Sequence, residues 1–418
     1  MIKTLLENIS IRISSGLTPL RSNLTFWDSA DIPWVKTEQL GEKNIYDSNE
    51  KISYKALEET GLKLNPKNTL TIAMYGEGKT RGSVSILRNE VTTNQACCNI
   101  VIDNQKANFE YVYYFLKIQY DNLRNLSSGV RKNLNSGDIK NFEIRIPESL
   151  EHQSQIAKIL SDLDAKIELN NKMNSELEAM AKLIYDYWFV QFEFPLYFAQ
   201  GEPNEDGKPY KSSGGKMVWD EELKREIPEG WEVKTLGDCI NIYDSLRVPL
   251  ARAEREKIEG TIPYYGATSV MGYVNDYLFD DEYILLAEDG SVMDEKGMPI
   301  VQFIWGKTWV NNHAHVIQAV DKIHNEFIYQ LVKMIPVVLI KTGSIQMKIN
   351  QENLKNYKVL IPSIELVEKY SKNASDIRKQ LINNIEQNQK LAELRDWLLP
   401  MLMNGQVLID KLIDQIID

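Results

Sequence analysis

The sequence predicts an α+β fold in which two globular domains, arranged as a tandem repeat, are joined by two long helices that pair as an antiparallel coiled coil. Three observations predict it. At 418 residues the chain exceeds what one hydrophobic core organises. Short strings recur at a nearly constant spacing, and two stretches carry a heptad seam with polar residues at matching steps.

The repeat comes first because it organises the rest of the chain. Asn141-Phe142-Glu143-Ile144-Arg145-Ile146-Pro147 matches Asn356-Tyr357-Lys358-Val359-Leu360-Ile361-Pro362 at an offset of 215. The run from Tyr111 to Lys117 matches that from Phe327 to Lys333 at 216, Asn94-Gln95-Ala96 matches Asn312-His313-Ala314 at 218, and Lys3-Thr4-Leu5 matches Lys234-Thr235-Leu236 at 231. Four matches occur in one order, three with offsets within 3 residues of one another and the fourth 13 further, which places the insertions in loops. Each half reads as a mixed segment followed by a long helix.

In the first helix the positions spaced by four and three are Ile156, Leu160, Leu163, Ile167, Asn170, Asn174, Leu177, Ala181 and Ile184. The second copy, 214 residues later, reads Tyr370, Ala374, Ile377, Leu381, Asn384, Asn388, Leu391, Arg395 and Leu398. Both are heptad seams. A polar side chain on a seam costs stability but specifies register and partner, so Asn170, Asn174, Asn384 and Asn388 are expected to set the register of two helices packed on each other. At 1.5 Å per residue, helices of about 35 to 40 residues span about 50 to 60 Å. They are spacers.

The mixed segments hold short β-branched runs, such as Leu70-Thr71-Ile72-Ala73-Met74, Val84-Ser85-Ile86-Leu87 and Tyr283-Ile284-Leu285-Leu286-Ala287. Glycines and prolines among charged residues from Gly201 to Gly230 give loop composition, and a second globular part starts near Trp231.

Hydrophobic residues make up 43% of the chain and charged residues 26%, which excludes a fibrous or disordered class. No run is long and apolar enough to span a bilayer and Met1-Ile2-Lys3 opens no signal peptide, so the expectation is a cytoplasmic protein without membrane contact. Cys97, Cys98 and Cys239 are too few and too badly spaced for a disulfide framework and read as reduced packing residues. The net charge of -11 opposes nucleic-acid binding, but it is uneven: residues 1–150 hold 19 Lys and Arg against 17 Asp and Glu, the remainder 29 against 42. Lys79, Arg81 and Arg88 cluster in the first part, as do Arg124, Arg131, Lys132, Lys140 and Arg145, so a local positive surface survives the global sign.

Catalytic signatures are missing. Ala73-Met74-Tyr75-Gly76-Glu77-Gly78-Lys79-Thr80 imitates a phosphate-binding loop, but its first glycine is Ala73 and a strand-like run follows where a helix must begin. A Gly-rich hairpin projecting Lys79 and Arg81 toward phosphates fits better, and a plain solvated turn fits equally well. His313 and His315 alternate on one strand face without a Cys or carboxylate at a spacing that completes a metal site, and a hydrogen-bonding role is expected; Glu288-Asp289-Gly290 and Asp294-Glu295 read as loop acids. No nucleophile elbow, zinc-protease helix, dinucleotide fingerprint or Asn-Pro-Pro-Tyr tetrapeptide occurs.

Ser128 to Leu134, continuing through Ile139 to Pro147 into Gln153, Ile156, Ala157 and Leu160, resembles the junction of recognition domain and spacer helix in specificity subunits of Type I restriction-modification systems. Thr342 to Asn350 and on to Pro362 is similar, as are Tyr185 to Phe192, Lys211 to Gly215 with Pro228 to Trp231, and Leu391 to Gly405. The resemblance covers essentially the whole chain. It implies target-recognition domains at 1–150 and 231–362 in pseudo-twofold arrangement, spacer helices at 151–193 and 363–418 (the latter with a C-terminal tail), and a connector at 194–230. Each domain would read half of a bipartite, gapped duplex DNA target, the coil setting the gap. It further implies two modification subunits carrying S-adenosylmethionine, restriction subunits using ATP and Mg, and no catalysis or cofactor in this chain. Arg395 on the seam, and a first domain that begins almost at Met1, depart from the family pattern. A non-enzymatic coiled-coil protein adaptor is the alternative, which the acidic net charge favours.

Bases are read by Arg or Lys on guanine and by Asn or Gln on adenine, with phosphates held by Lys, Arg and Ser. This directs attention to Lys79, Arg81, Arg131, Lys132 and Asn133 in the first domain, and to Lys307, Asn311, Asn312, Gln346 and Lys348 in the second.

Overall fold

A computed structural model describes residues 1–76, 78, 80–126, 133–195, 208–320, 322–343 and 347–406. The chain forms two compact units, one of Met1–Asn170 with Glu386–Asp418, the other Asn171–Ile385.

In the first unit the core strand Thr69–Ala73 is buried along its whole length, because Leu70 and Ile72 face one side while Thr69 and Thr71 are also covered. It is the middle of a five-stranded sheet in the order Ser10–Ser15, Cys97–Ile102, Thr69–Ala73, Val84–Leu87, Asn44–Ile45. Helix Phe109–Ile118 lies on it, with Tyr111 to Leu116 all buried; it starts where Asn108 caps the amide of Tyr111. Strand Ile2–Leu5 pairs antiparallel with Glu143–Ile146, which leads into helix Leu150–Tyr185. Gln153, fully buried, holds that helix to the globular part by accepting from the amide of Asn108 (2.8 Å) and donating to the carbonyl of Pro147 (2.8 Å).

The second unit repeats the plan. A four-stranded sheet runs Ile240–Ile242, Ala314–Ala319, Tyr283–Ala287, Val301–Ile304, with helix Asn325–Lys333 against it. Strand Glu232–Thr235 pairs antiparallel with Lys358–Ile361, and helix Ile364–Met403 follows. A second four-stranded sheet, in the order Val270–Val274, Ile262–Tyr265, Lys307–Val310, Phe279–Asp280, completes it.

The strand pairing shifts one repeat match by a residue. Leu6 N donates to Phe142 O (2.9 Å) where Leu236 N donates to Tyr357 O (2.8 Å), so Leu236 corresponds to Leu6, an offset of 230, and not to Leu5. Leu6 and Leu236 are fully buried and Leu5 is exposed; a slip of one residue would turn every side chain of the strand to the wrong face. The loop composition of residues 201–230 also hid structure. Met217–Asp220 and Arg225–Pro228 form a hairpin, while Phe192, Phe194 and Tyr210 pack with Trp231, the ring centroids of Phe194 and Trp231 lying 5.3 Å apart.

The seam residues of both helices are buried or half-buried throughout. In the first unit Asn170 donates to Asn388 (2.9 Å) and to Gln387 (2.7 Å), and Arg395 pairs with Asp164 (2.8 Å). In the second, Asn384 donates to Asn174 (2.8 Å) and the Tyr370 hydroxyl lies 3.5 Å from the carbonyl of Ala181. Within each unit one residue number rises as its partner's falls, so the segments run antiparallel. Asn384→Leu is expected to cost about 1–3 kcal/mol, because Asn174 loses its partner, and Asn174→Leu added to it should recover most of that loss. Chemical denaturation of the two variants tests this; equal stability of single and double would reject the pairing as the cause.

The three cysteines are free and buried, as their spacing predicted. Among the described residues no helix is long and apolar enough to cross a membrane.

Candidate nucleic-acid interface

Three loops meet at one end of the main sheet in each unit. In the first, Met74 follows strand Thr69–Ala73, its amide donates to Ala96 O (2.8 Å), and its carbonyl accepts from Leu134 N (3.2 Å). In the second, Glu288 follows strand Tyr283–Ala287, its amide donates to His313 O (2.8 Å), and its carbonyl accepts from Ile349 N (2.9 Å). The same backbone frame therefore gathers the turn after the core strand, the turn before its neighbour, and the segment just ahead of the helix–strand junction.

This frame locates the residues singled out in the sequence. Asn133 and Lys348 occupy equivalent positions, each directly before the amide that closes the frame, and both are exposed. Asn312 is exposed, and its carbonyl accepts from Arg247 (3.4 Å). Asn311 is buried; it accepts from the amide of His313 (2.9 Å), as Asn94 does from Ala96 (3.1 Å). The structural counterpart of Asn94 is thus Asn311 and not Asn312, and the Asn311 side chain is spent on an internal turn. Lys307, exposed, lies on another strand with its ammonium 4.5 Å from the ring centroid of Tyr277. Arg81 is half-buried in the turn that returns to strand Val84–Leu87, where Gly82 adopts φ +88° and its amide donates to Ala73 O (2.9 Å). Lys79, Arg131, Lys132 and Gln346 lie outside the described residues.

A charged hub underlies the second frame that sequence reasoning missed. Arg247 donates to Glu288 (2.7 Å) and to Ala314 O (2.6 Å); Lys348 also pairs with Glu288 (2.9 Å). His315 Nδ1 bonds Asp244 (2.6 Å) and its Nε2 donates to Ile349 O (2.8 Å), while Gln351 donates to Asp244 (2.5 Å). Glu288 is therefore a buried structural carboxylate and not a solvated loop acid. Asp244, Glu288 and His315 bring their ligand-type atoms within 4.8 Å of one another, which supplies the carboxylates that spacing along the chain did not reveal. Arg247 and Lys348 already neutralise the carboxylates, and both His315 nitrogens are bonded, so the cluster reads as a scaffold holding the loops. Asp244 and His315 are 71 residues apart, Asp244 and Gln351 107, and no local pattern marks them.

Burial pushes the Asp244 carboxyl upward, but His315, the Val316 amide and Arg247 outweigh it and hold it below the usual range; Arg247 and Lys348 do the same for Glu288 against its burial. Carboxylates depressed in the folded state contribute stability that is complete above their ordinary range, about pH 4, and lost as pH falls through the depressed values. The thermal midpoint is expected to be level near neutrality and to drop below about pH 4. Glu288→Gln should make that drop shallower, and an unchanged acid profile would assign the loss elsewhere.

The model of the family described as Type I restriction modification DNA specificity domain matches residues 9–179 and 228–395, one copy over each half of the repeat. The chain belongs to that family. The MjaIX specificity subunit of a Type I restriction enzyme from Methanocaldococcus jannaschii is 28% identical over 96% of this chain and 92% of its own length. The EcoprrI specificity subunit from Escherichia coli is 24% identical over 84% and 82%. A crystal structure of the S subunit of a Type I restriction-modification system from M. genitalium superimposes with a TM-score of 0.61 at 18% identity, covering 96% of this chain and 95% of that one, and so shares its fold.

Proposed function

We propose that this chain is the DNA-reading specificity subunit of a Type I restriction-modification complex and has no catalysis of its own. Target-recognition domains at 1–150 and 231–362 each read one half of a bipartite, gapped duplex target. The helical segments 151–193 and 363–418 act as an antiparallel coiled-coil spacer that sets the gap and docks two modification subunits, and 194–230 connects the halves. S-adenosylmethionine belongs to the modification subunits, ATP and Mg to restriction subunits that join the assembly, and the complex works in the cytoplasm.

The observation that carries this reading is the recurrence of the three-loop frame in both halves of a chain of this family, each frame presenting polar side chains at one sheet end. Asn133 and Lys348 are the foremost candidates for contact, and Arg81, Lys307 and Asn312 are further ones. Lys79, Arg131, Lys132 and Gln346 remain candidates on sequence alone.

The test is methyladenine sequencing of genomic DNA from cells that express the cognate modification subunit with and without this chain. A two-part gapped motif methylated only in its presence is the expected result. An assembled, active complex that yields no chain-dependent motif overturns the reading in favour of a protein adaptor.

A further inference from the structure

Position 164 of the first long helix and position 378 of the second are equivalent in the repeat and carry charges of opposite sign, Asp164 half-buried and Arg378 buried. Asp164 receives the Lys43 ammonium (3.3 Å), the Tyr114 hydroxyl and Arg395 (2.8 Å). Arg378 instead makes two bonds to Glu326, Nε to Oε1 at 3.0 Å and Nη2 to Oε2 at 3.2 Å, while its guanidinium lies 4.1 Å from the ring centroid of Phe303 and 4.6 Å from that of Tyr329. Both locks join a helix to the globular part it carries.

The inversion follows from one difference between the copies. Glu110 and Glu326 are equivalent residues on equivalent helices. In the first unit Arg88, at the end of strand Val84–Leu87, neutralises Glu110 (2.7 Å) within the globular part, leaving Lys43 and Tyr114 to face the spacer. In the second, Trp305 follows the equivalent strand Val301–Ile304, and the carboxylate of Glu326 turns to the spacer. A buried charge left against a like charge loses its compensation and keeps its desolvation cost. The second globular part placed on the first helix would set Glu326 against Asp164; the first placed on the second would set Lys43 against Arg378.

We propose that Asp164 and Arg378 are positioning residues that seat each recognition part on its own helix, with opposite polarity so that neither seat accepts the other part. The seat fixes where a recognition surface stands along the spacer and hence the distance between half-sites. This rests on the specificity-subunit reading.

The test is a charge cycle in the full chain, assembled with its modification subunit: wild type, Arg378→Glu, Glu326→Arg and both together. Two readouts are taken, the methylated motif resolved by half-site and the thermal midpoint without DNA. Each single variant is expected to lower methylation dependent on the half-site read by 231–362 by about tenfold or more, while the reversed pair recovers it to within about threefold. Midpoints should follow the same order. A reversed pair no better than the single variants, or a single variant with both half-sites intact, overturns the proposal. If a single variant fails to fold, the reversed pair still decides. Failure of wild type to give a motif, with coupling still present in the midpoints, rejects the DNA-reading function and leaves the seat standing.

Discussion

Arg247→Met is expected to destabilise residues 171–385 by about 3–5 kcal/mol, because removing one partner of a buried ion network leaves the other charges uncompensated. Arg247 has only 11% of its side chain exposed and serves two carboxylates and three carbonyls: Asp244 and Glu288, and the main chain of Asp244, Asn312 and Ala314. Methionine fills much of the volume but donates nothing. Glu288 would retain Lys348, and Asp244 would retain His315 and Gln351, so the unit should still fold in dilute buffer. Urea denaturation followed by tryptophan fluorescence measures the change. A loss below about 1 kcal/mol would show that the carboxylates reach water once the guanidinium is gone.

Phe189→Ala should cost a comparable amount, about 3–5 kcal/mol, through the lost transfer energy of the ring and the cavity it leaves. Phe189 is 6% exposed and lies in the short π-helix Asp186–Val190 that continues helix Leu150–Tyr185. Its ring centroid stands 5.0 Å from those of Tyr185 and Phe327, 5.1 Å from Tyr370 and 6.1 Å from Trp231. Four separate segments, the end of one long helix, the start of the other, the helix on the sheet and the residue ahead of strand Glu232–Thr235, therefore meet on one side chain. Phe189→Leu should recover most of the stability. If alanine were tolerated as well as leucine in thermal melts, the aromatic cluster would not be what fixes these segments.

Features that depend on short-range periodicity were legible in the sequence. The strands at residues 70–74, 84–87 and 283–287 appear within a residue of expectation, and the two seams define helices Leu150–Tyr185 and Ile364–Met403. What stayed hidden depends on contacts between distant residues. Asp244 and Arg247 sit in an unremarkable stretch, and only the fold brings them to Glu288 and His315. Asn311 looked like a base reader because asparagine suits adenine, yet the same amide closes a turn equally well, and sequence does not separate the two uses. Arg395, a departure from the apolar seam, acquires its reason only when Asp164 is seen across from it.

The loop frame tolerates a methionine at position 74 and a glutamate at the equivalent 288 because both are held by their main-chain amide and carbonyl. The main-chain bonds of the frame are thus indifferent to which side chain stands at this one position, while in the second unit Glu288 adds side-chain bonds of its own to Arg247 and Lys348. A lineage can exchange the residues around such a frame, and with them the target it prefers, without having to discover a new fold along the way.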